Sequence, residues 1–171
     1  MKEAKKGLSP DELLTKGLQS GYAGKTERGK SNRGPFVVET SQSEIDGGVY
    51  RDEWIAGERT GGGQELVVLA DGRKFTRIYG GGMLDQETMD ECGITAANVT
   101  DYLKTKIQEL GEKTRLDKDL EFQTDGYWGY EYRVIDLSAS YGKIPLTMGI
   151  ESIKYKHALI FAHGFILTTV K

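Results

Sequence analysis

The sequence predicts an α+β fold: a curved antiparallel sheet or half-barrel, built from two similar β-rich halves, with two packed helices. Three observations predict this class. A pattern of strands occurs twice, over about residues 34–83 and again over about residues 120–167. Short turns link the strands within each copy, which favours antiparallel pairing over crossover connections. Two stretches have apolar residues at helical spacing, and the second joins the copies near residues 95–110.

Length and composition place the chain among ordinary globular proteins. Its 171 residues fit one domain spanning residues 1–171, since single domains commonly have about 100–200 residues. No apolar run approaches the roughly 20 residues that cross a bilayer, and the polar N-terminus has no signal-peptide core. We therefore expect a cytoplasmic protein without a membrane partner.

Charge and residue counts exclude several functional classes. Residues 1–33 carry eight Lys and Arg against four acids, but this basic arm lacks stacking aromatics and a recognised motif, so we do not expect a nucleic-acid partner. One cysteine, Cys92, and two histidines, His157 and His163, do not form a zinc motif. We therefore expect no metal site, and the sequence identifies no cofactor.

The first element is a helix with a clear start. Ser9 can cap it, Pro10 suits its first turn, Glu12 completes a capping box and Gly21 ends it. Residues 21–35 are polar and glycine-rich, which predicts a long loop that can act as a lid.

The first copy then begins with a strand over residues 36–39 and a polar turn through residues 41–43. In the next strand, alternation places Tyr50, Asp52 and Trp54 on one face. Neither face of this strand is purely apolar, so one of them is expected to line a wet cavity or an interface.

The copy continues through a flexible segment, residues 57–63, into a hairpin. Asp71-Gly72 between two β-rich runs is a strong hairpin signal. The hairpin ends at Tyr79, and the three glycines that follow favour a bend or bulge in the sheet over a phosphate-binding loop.

Between the copies, Thr95 is a candidate N-cap and Gly111 a candidate C-cap for a second helix. The second copy has a long strand pair or one bent strand over residues 127–141, and a closing hairpin that turns at Lys156-His157. The chain keeps β character to residue 170, which predicts pairing within the sheet or at a subunit contact.

Alignment of the copies matches Glu65 with Glu151, Tyr50 with Tyr132 and Arg51 with Arg133. Each glutamate follows a glycine at Gly-x-Glu. The two carboxylates suit acid/base chemistry if their pKa values differ, but we favour salt bridges, because each copy carries its own arginine.

His163 is the one residue that breaks the similarity, since the first copy has Tyr79 or Gly80 there. It is therefore a candidate general base or a structural histidine.

The segments Tyr50-Arg51-Asp52-Glu53-Trp54, Gly61-Gly62-Gly63-Gln64-Glu65 and Tyr79-Gly80-Gly81 resemble a prokaryotic family of unknown function, DUF 5680. Its Tyr-Ala-Gly loop corresponds to Tyr22-Ala23-Gly24. The similarity is best over residues 20–83 and weaker over residues 127–165. The family also occurs behind a helix-turn-helix domain, which this chain lacks, and the resemblance implies no catalytic residues.

Three functions fit these features. The first is a small-molecule-binding or sensor module, the second an enzyme that uses Glu65, Glu151 or His163 as acid or base, and the third a homodimeric interaction protein. We favour the first. The candidate ligand-binding residues are Tyr50, Asp52, Trp54, Glu65, Tyr79, Tyr132, Glu151 and His163.

Overall fold

A computed structural model describes residues 7–110, 113, 119–124, 126–135, 137 and 146–170. These residues form three α-helices and nine β-strands. In chain order the elements are α1 (Pro10–Ser20), β1 (Gly29–Arg33), β2 (Phe36–Ile45), β3 (Gly48–Ala56), β4 (Thr60–Val68), β5 (Lys74–Met83), α2 (Gln86–Cys92), α3 (Ala96–Glu109), β6 (Leu120–Thr124), β7 (Trp128–Ile135), β8 (Leu146–Tyr155) and β9 (Ala158–Val170).

All nine strands belong to one sheet, in the order β1-β2-β3-β4-β5-β9-β8-β7-β6. Every pairing is antiparallel. The sheet is open, with β1 and β6 at its edges. The predicted α+β class and antiparallel sheet are confirmed. The expected number of helices was wrong, because α2 is a third helix of only seven residues, too short to give a helical pattern in the sequence.

Strands β5 and β9 pair at the centre of the sheet. Gly80 lies opposite Gly164 in this ladder, and Tyr79 lies opposite Phe165. Strands β2 to β5 follow one another on one side, and strands β9 to β6 follow in reverse order on the other. The central pair therefore brings together side chains that are 78 to 96 residues apart in the chain.

Helix α1 begins as the sequence predicts. The Ser9 hydroxyl accepts a hydrogen bond from the Glu12 amide, and the Glu12 carboxylate accepts one from the Ser9 amide. Gly17 faces the sheet, and a Cβ atom there would lie 2.1 Å from Cγ of Tyr50. The absent side chain thus lets α1 pack directly on the Tyr50 ring.

Helix α3 begins at the predicted Thr95 cap. Val99, Leu103 and Ile107 are its buried apolar side chains, at helical spacing. The predicted Gly111 cap lies outside the described residues. Because α1 and α3 also contact each other, they form a layer over one face of the sheet. This helix-covered face is called the inner face, and the opposite one the outer face.

Several segments expected to be irregular are strands instead. The predicted loop at residues 21–35 contains β1, whose side chains are all exposed. The predicted turn at residues 41–43 lies inside β2, and the glycines of residues 61–63 lie inside β4. Their polar or glycine-rich sequences have no hydrophobic alternation, so no sequence pattern identified them as strands. Backbone pairing with their neighbours holds them in the sheet.

The hairpin turns predicted at Asp71-Gly72 and Lys156-His157 are confirmed. The amide of Gly72 donates to the carbonyl of Leu69 in the first hairpin, and Gly72 has a φ of 85°. Lys156 and His157 have φ values of 47° and 72° at the turn between β8 and β9. Strand β9 then remains paired with β5 as far as Val170.

Candidate functional site

A cavity of about 210 Å³ lies on the inner face of the sheet. Its wall includes side chains from α1, β3, β4, β5, α3, β8 and β9. Pockets for drug-sized ligands usually measure about 300–1,000 Å³, so this cavity suits a smaller molecule. Six of the eight sequence-predicted candidates line it: Asp52, Trp54, Glu65, Tyr79, Glu151 and His163. Tyr50 and Tyr132 lie behind the wall, fully buried.

Two rows of polar side chains cross the inner face. Asp52, Glu65 and Arg77 lie directly opposite one another on β3, β4 and β5. Tyr132, Glu151 and His163 occupy the corresponding positions on β7, β8 and β9. Side chains directly opposite on neighbouring strands lie about 4.5–5.5 Å apart at Cβ, so each row places its three side chains next to one another.

Glu65 is the centre of the first row. Its Oε1 accepts a hydrogen bond from the Tyr50 hydroxyl at 2.8 Å, and its Oε2 accepts one from Nη1 of Arg77 at 2.8 Å. Burial, followed by the charge of Glu65, raises the pKa of Tyr50 well above its ordinary value. The guanidinium of Arg77 also lies 4.7 Å from the centre of the Phe165 ring. Glu65 is therefore held by two donors in a fixed position.

The expected salt bridges from Glu65 to Arg51 and from Glu151 to Arg133 were wrong. Arg51 pairs with Glu53 on its own strand at 2.7 Å, and Arg133 pairs with Glu131. The reason is strand alternation: neighbouring residues point to opposite faces, so Arg51 faces away from the cavity that Asp52 lines.

Asp52 has an unusual environment. Its Oδ1 accepts a hydrogen bond from the Tyr79 hydroxyl at 2.9 Å, and among the described residues it forms no ion pair. Burial, followed by the negative charge of Glu65, raises its pKa to about 8. The Tyr79 hydrogen bond and the charges of Arg77 and Arg28 act in the opposite direction. At neutral pH the carboxyl group is therefore mostly protonated.

Glu151 is the centre of the second row. Its Oε1 accepts a hydrogen bond from the Tyr130 hydroxyl at 2.7 Å. The expected match of Tyr50 with Tyr132 was wrong by two residues, because Tyr130 makes the contact with Glu151 that Tyr50 makes with Glu65. Tyr132 instead stacks on Phe165, with 4.9 Å between the ring centres. Since both tyrosines of β7 face inward, the sequence alone does not distinguish them.

The glycines of the two Gly-x-Glu motifs have a packing role. A Cβ atom at Gly63 would lie 2.6 Å from the Tyr79 hydroxyl, and one at Gly149 would lie 2.3 Å from the Phe165 ring. Each glycine therefore leaves room for an aromatic ring from the next strand. The motif places an aromatic ring beside a buried glutamate in both places.

Aromatic rings complete the cavity wall. His163 lies between Phe161 and Tyr79, at 4.4 Å and 5.6 Å between ring centres. Tyr22 and Trp54 meet edge to face at 6.4 Å. Burial, followed by the charge of Glu151 and then a smaller effect of Asp52, raises the pKa of Tyr22 to about 12. The carboxyl groups of Glu151 and Asp52 therefore both act electrostatically on the Tyr22 hydroxyl.

The wall residues that sequence reasoning missed include Arg77, Tyr22 and Phe161. Arg77 follows Phe75 and precedes Tyr79 at alternate positions of β5, so inward alternation was a signal that could have found it. Tyr22 lies in the turn after α1, where no periodic pattern indicates which way a side chain points.

The described residues contain no group of three or more metal-ligating side chains arranged to hold an ion. Within the same residues, no helix combines the length and the apolar character needed to span a bilayer. No protein-family model, curated protein or solved structure matches the chain. The resemblance to DUF 5680 therefore stays a prediction.

Proposed function

We propose that this protein binds a small molecule in the cavity over the inner face of its sheet, as a sensor or binding module. One observation carries the proposal: ionisable side chains from distant strands converge on one cavity with aromatic walls. Asp52, Glu65 and Arg77 come from one side of the sheet, and Glu151 and His163 from the other. A cavity with a few convergent polar groups and a perturbed pKa is the usual form of a ligand site.

The arrangement is costly to the fold, which supports a functional role. Burying a carboxyl group without a cationic partner is unfavourable, and Asp52 is only 1 % exposed. An apolar side chain in the same place would remove this cost. The presence of an acid at this position is explained if Asp52 contacts a ligand.

We also propose that the sheet is a curved half-barrel of two related halves, with an approximate twofold axis between β5 and β9. Matching contacts at Glu65 and Glu151 support this proposal, as do the two glycines covered by Tyr79 and Phe165. Such an axis explains why both Gly-x-Glu motifs face one cavity. The halves differ in the residue opposite each glutamate, which is Arg77 beside Glu65 and His163 beside Glu151. A bound ligand would therefore contact different side chains at the two ends of the cavity.

A thermal-denaturation screen tests the binding proposal. Organic cations, anions, sugars and nucleosides are tested on the wild type and on a Thr100→Phe variant, since Thr100 lines the cavity from α3. A ligand at about a hundred times its dissociation constant adds about 2.7 kcal/mol to the unfolding free energy. The variant should lose the shift because its larger side chain fills the cavity.

The matched control is Thr105→Phe, which places the same ring at an exposed position of α3 outside this cavity. It should keep the full ligand-induced shift. Equal shifts in both variants would contradict binding in this cavity, and so would the absence of any shift across the whole screen.

Proton-transfer catalysis in the same cavity is a second candidate. It is favoured by the pKa of Asp52, which burial and Glu65 raise to about 8, close to the operating pH that suits a general acid or base. Glu65, Glu151 and His163 would then assist as neighbouring groups. Catalysis predicts that an Asp52→Asn variant binds a substrate but does not turn it over, as measured by product formation under single-turnover conditions.

A homodimer is a third proposal, favoured by the outer face of the sheet. Ile78 and Ile166 lie opposite each other on β5 and β9 and are 56 % and 40 % exposed. Exposed apolar patches of this kind often mark contacts between proteins. Sedimentation equilibrium of the wild type and of Ile78→Lys tests it. A monomeric wild type across the concentration range would contradict the proposal.

A further inference from the structure

We propose that the molecule bound in this cavity is a small organic cation, held by the Asp52 and Glu151 carboxyl groups against the rings of Tyr22, Trp54 and Phe161. This inference rests on the proposed binding function and specifies the chemical class of its ligand. It is carried by the charges and the rings of the cavity wall.

The wall has an excess of carboxylates. Four acids line the cavity: Asp52, Glu58, Glu65 and Glu151. The basic side chains of the wall are Arg59, Arg77 and His163. When Asp52 is ionised, the carboxylates outnumber the cations by one even if His163 carries a proton. A cationic ligand balances this excess, whereas an anionic ligand increases it.

Asp52 is the position that lacks a countercharge. The guanidinium of Arg77 is bonded to Glu65 at 2.8 Å. Arg28, the other cation that acts on Asp52, pairs with Glu39 at 3.8 Å and donates to the Tyr22 carbonyl at 3.0 Å. Tyr79 satisfies one carboxyl oxygen with a neutral hydroxyl. A bound cation would supply the missing positive charge to Asp52.

The groups that face Asp52 are Glu65 on β4, Arg77 and Tyr79 on β5, and Arg28 in the segment after α1. Tyr50 on the same strand and Tyr22 also respond to its charge. Arg77 and Arg28 are paired with other carboxylates, and the tyrosine side chains are neutral. None of these groups provides a dedicated positive charge for Asp52, so a cation that enters the cavity would favour its ionised form.

The aromatic rings provide the second half of the site. The face of an aromatic ring attracts a cation electrostatically, most strongly over tryptophan. Rings beside this cavity already have cations near them: the Arg28 guanidinium lies 5.4 Å from the Trp54 ring, and the Lys104 ammonium lies 5.6 Å from the Tyr22 ring. The combination of acidic groups and rings is the chemistry that recognises ammonium compounds.

Calorimetric titration of the full chain tests the inference. The cationic probes are choline and butylammonium, and each has a neutral isostere of nearly equal shape, dimethylbutanol for choline and butanol for butylammonium. We expect the cations to bind at least about tenfold more tightly than their isosteres, because only the cations carry a positive charge that a carboxylate attracts.

The variant Asp52→Asn removes the charge and keeps the size of the side chain. It should weaken binding of the cations at least about tenfold and leave binding of the isosteres unchanged. The matched control is Glu53→Gln, which removes one negative charge from the next residue of β3. Glu53 pairs with Arg33 and Arg51 and does not line the cavity, so this variant should bind like the wild type.

The pH dependence provides a second readout. Binding of a cation requires ionised Asp52, so wild-type affinity should rise by about tenfold per pH unit below pH 8 and level off above it. The heat of binding at neutral pH should differ between buffers of different ionisation enthalpy, because the protein releases a proton. The Asp52→Asn variant should show neither effect.

Equal affinity for cations and isosteres would overturn the cation inference and leave the proposed binding function intact. The inference would also fail if neither class bound while another compound stabilised the wild type and not Thr100→Phe. If no compound of any class stabilised the protein, the proposed function itself would fail.

Discussion

Glu65 and Arg77 lie directly opposite each other on β4 and β5, and they form an ion pair of 2.8 Å in which both side chains are at most 3 % exposed. The pair anchors the row of polar groups that reaches the cavity. Removing one partner leaves the other as a buried, uncompensated charge, which is far more costly than losing a pair on the surface.

Glu65→Gln and Arg77→Met should therefore each lower the unfolding free energy by about 3–5 kcal/mol. The double variant should be more stable than the sum of the single losses predicts, because it leaves no isolated charge. Denaturant unfolding measures all three. Arg51→Met is the control, and its half-exposed pair with Glu53 should account for at most about 1 kcal/mol. Additive losses at Glu65 and Arg77 would contradict the pairing.

Gly149 should not tolerate a side chain. A Cβ atom there would lie 2.3 Å from both the Phe165 ring and the Arg133 carbonyl oxygen, so Gly149→Ala should destabilise the protein by about 1–3 kcal/mol through overpacking. Gly164→Ala, on the adjacent strand, is the control because no atom lies within 4 Å of its added Cβ. Thermal unfolding compares the two, and similar melting temperatures would show that Phe165 does not cover Gly149.

Gly17→Ala should also be destabilising, which is opposite to the usual effect in a helix. Alanine normally stabilises a helix interior by about 0.5–1 kcal/mol relative to glycine. At Gly17, however, the added Cβ atom would lie 2.1 Å from the Tyr50 ring, which would separate α1 from the sheet. Denaturant unfolding should show a net loss, and a net gain would contradict the contact between α1 and β3.

Asp52 should make stability fall as pH rises. Its pKa is about 8 in the folded protein, against 3.8 in an unfolded chain, so between these values the folded protein holds a proton that the unfolded chain has lost. The stabilisation is complete below about pH 4 and is lost as pH rises through 8, at up to about 1.4 kcal/mol per pH unit.

Asp52→Asn should remove this part of the pH dependence, because the amide does not titrate and can still accept the Tyr79 hydrogen bond. Urea unfolding of both proteins from pH 5 to pH 9 measures the difference. Parallel stability curves for the two proteins would show that Asp52 has an ordinary pKa.

Local sequence patterns predicted the elements that bury an apolar stripe or end in a specific turn. The capping residues Ser9 and Thr95 identified two helices, and Asp71-Gly72 identified a hairpin. Alternation placed Asp52 and Trp54 on the face that lines the cavity. These signals are local, since each depends on residues within one turn of a helix or one strand.

The remaining features depend on contacts between distant residues. The pairing of β5 with β9 places Tyr79 opposite Phe165, and no local pattern specifies that neighbour. The partner of Glu65 was assigned to Arg51, because the sequence offered a nearby arginine, while Arg77 is brought to Glu65 by the register of β4 and β5. Strand β1 has exposed polar side chains, so only its pairing with β2 identifies it.

Titration of the isotope-labelled protein with choline, followed through backbone amide resonances, tests the central claim most directly. The glycine amides are convenient reporters, since Gly61, Gly62 and Gly82 line the cavity, whereas Gly34 and Gly126 do not. We predict saturable shifts at the first three, none at the other two, and loss of the shifts in Asp52→Asn. Shifts confined to Gly34 and Gly126, or the same shifts in the variant, would contradict a cation site in this cavity.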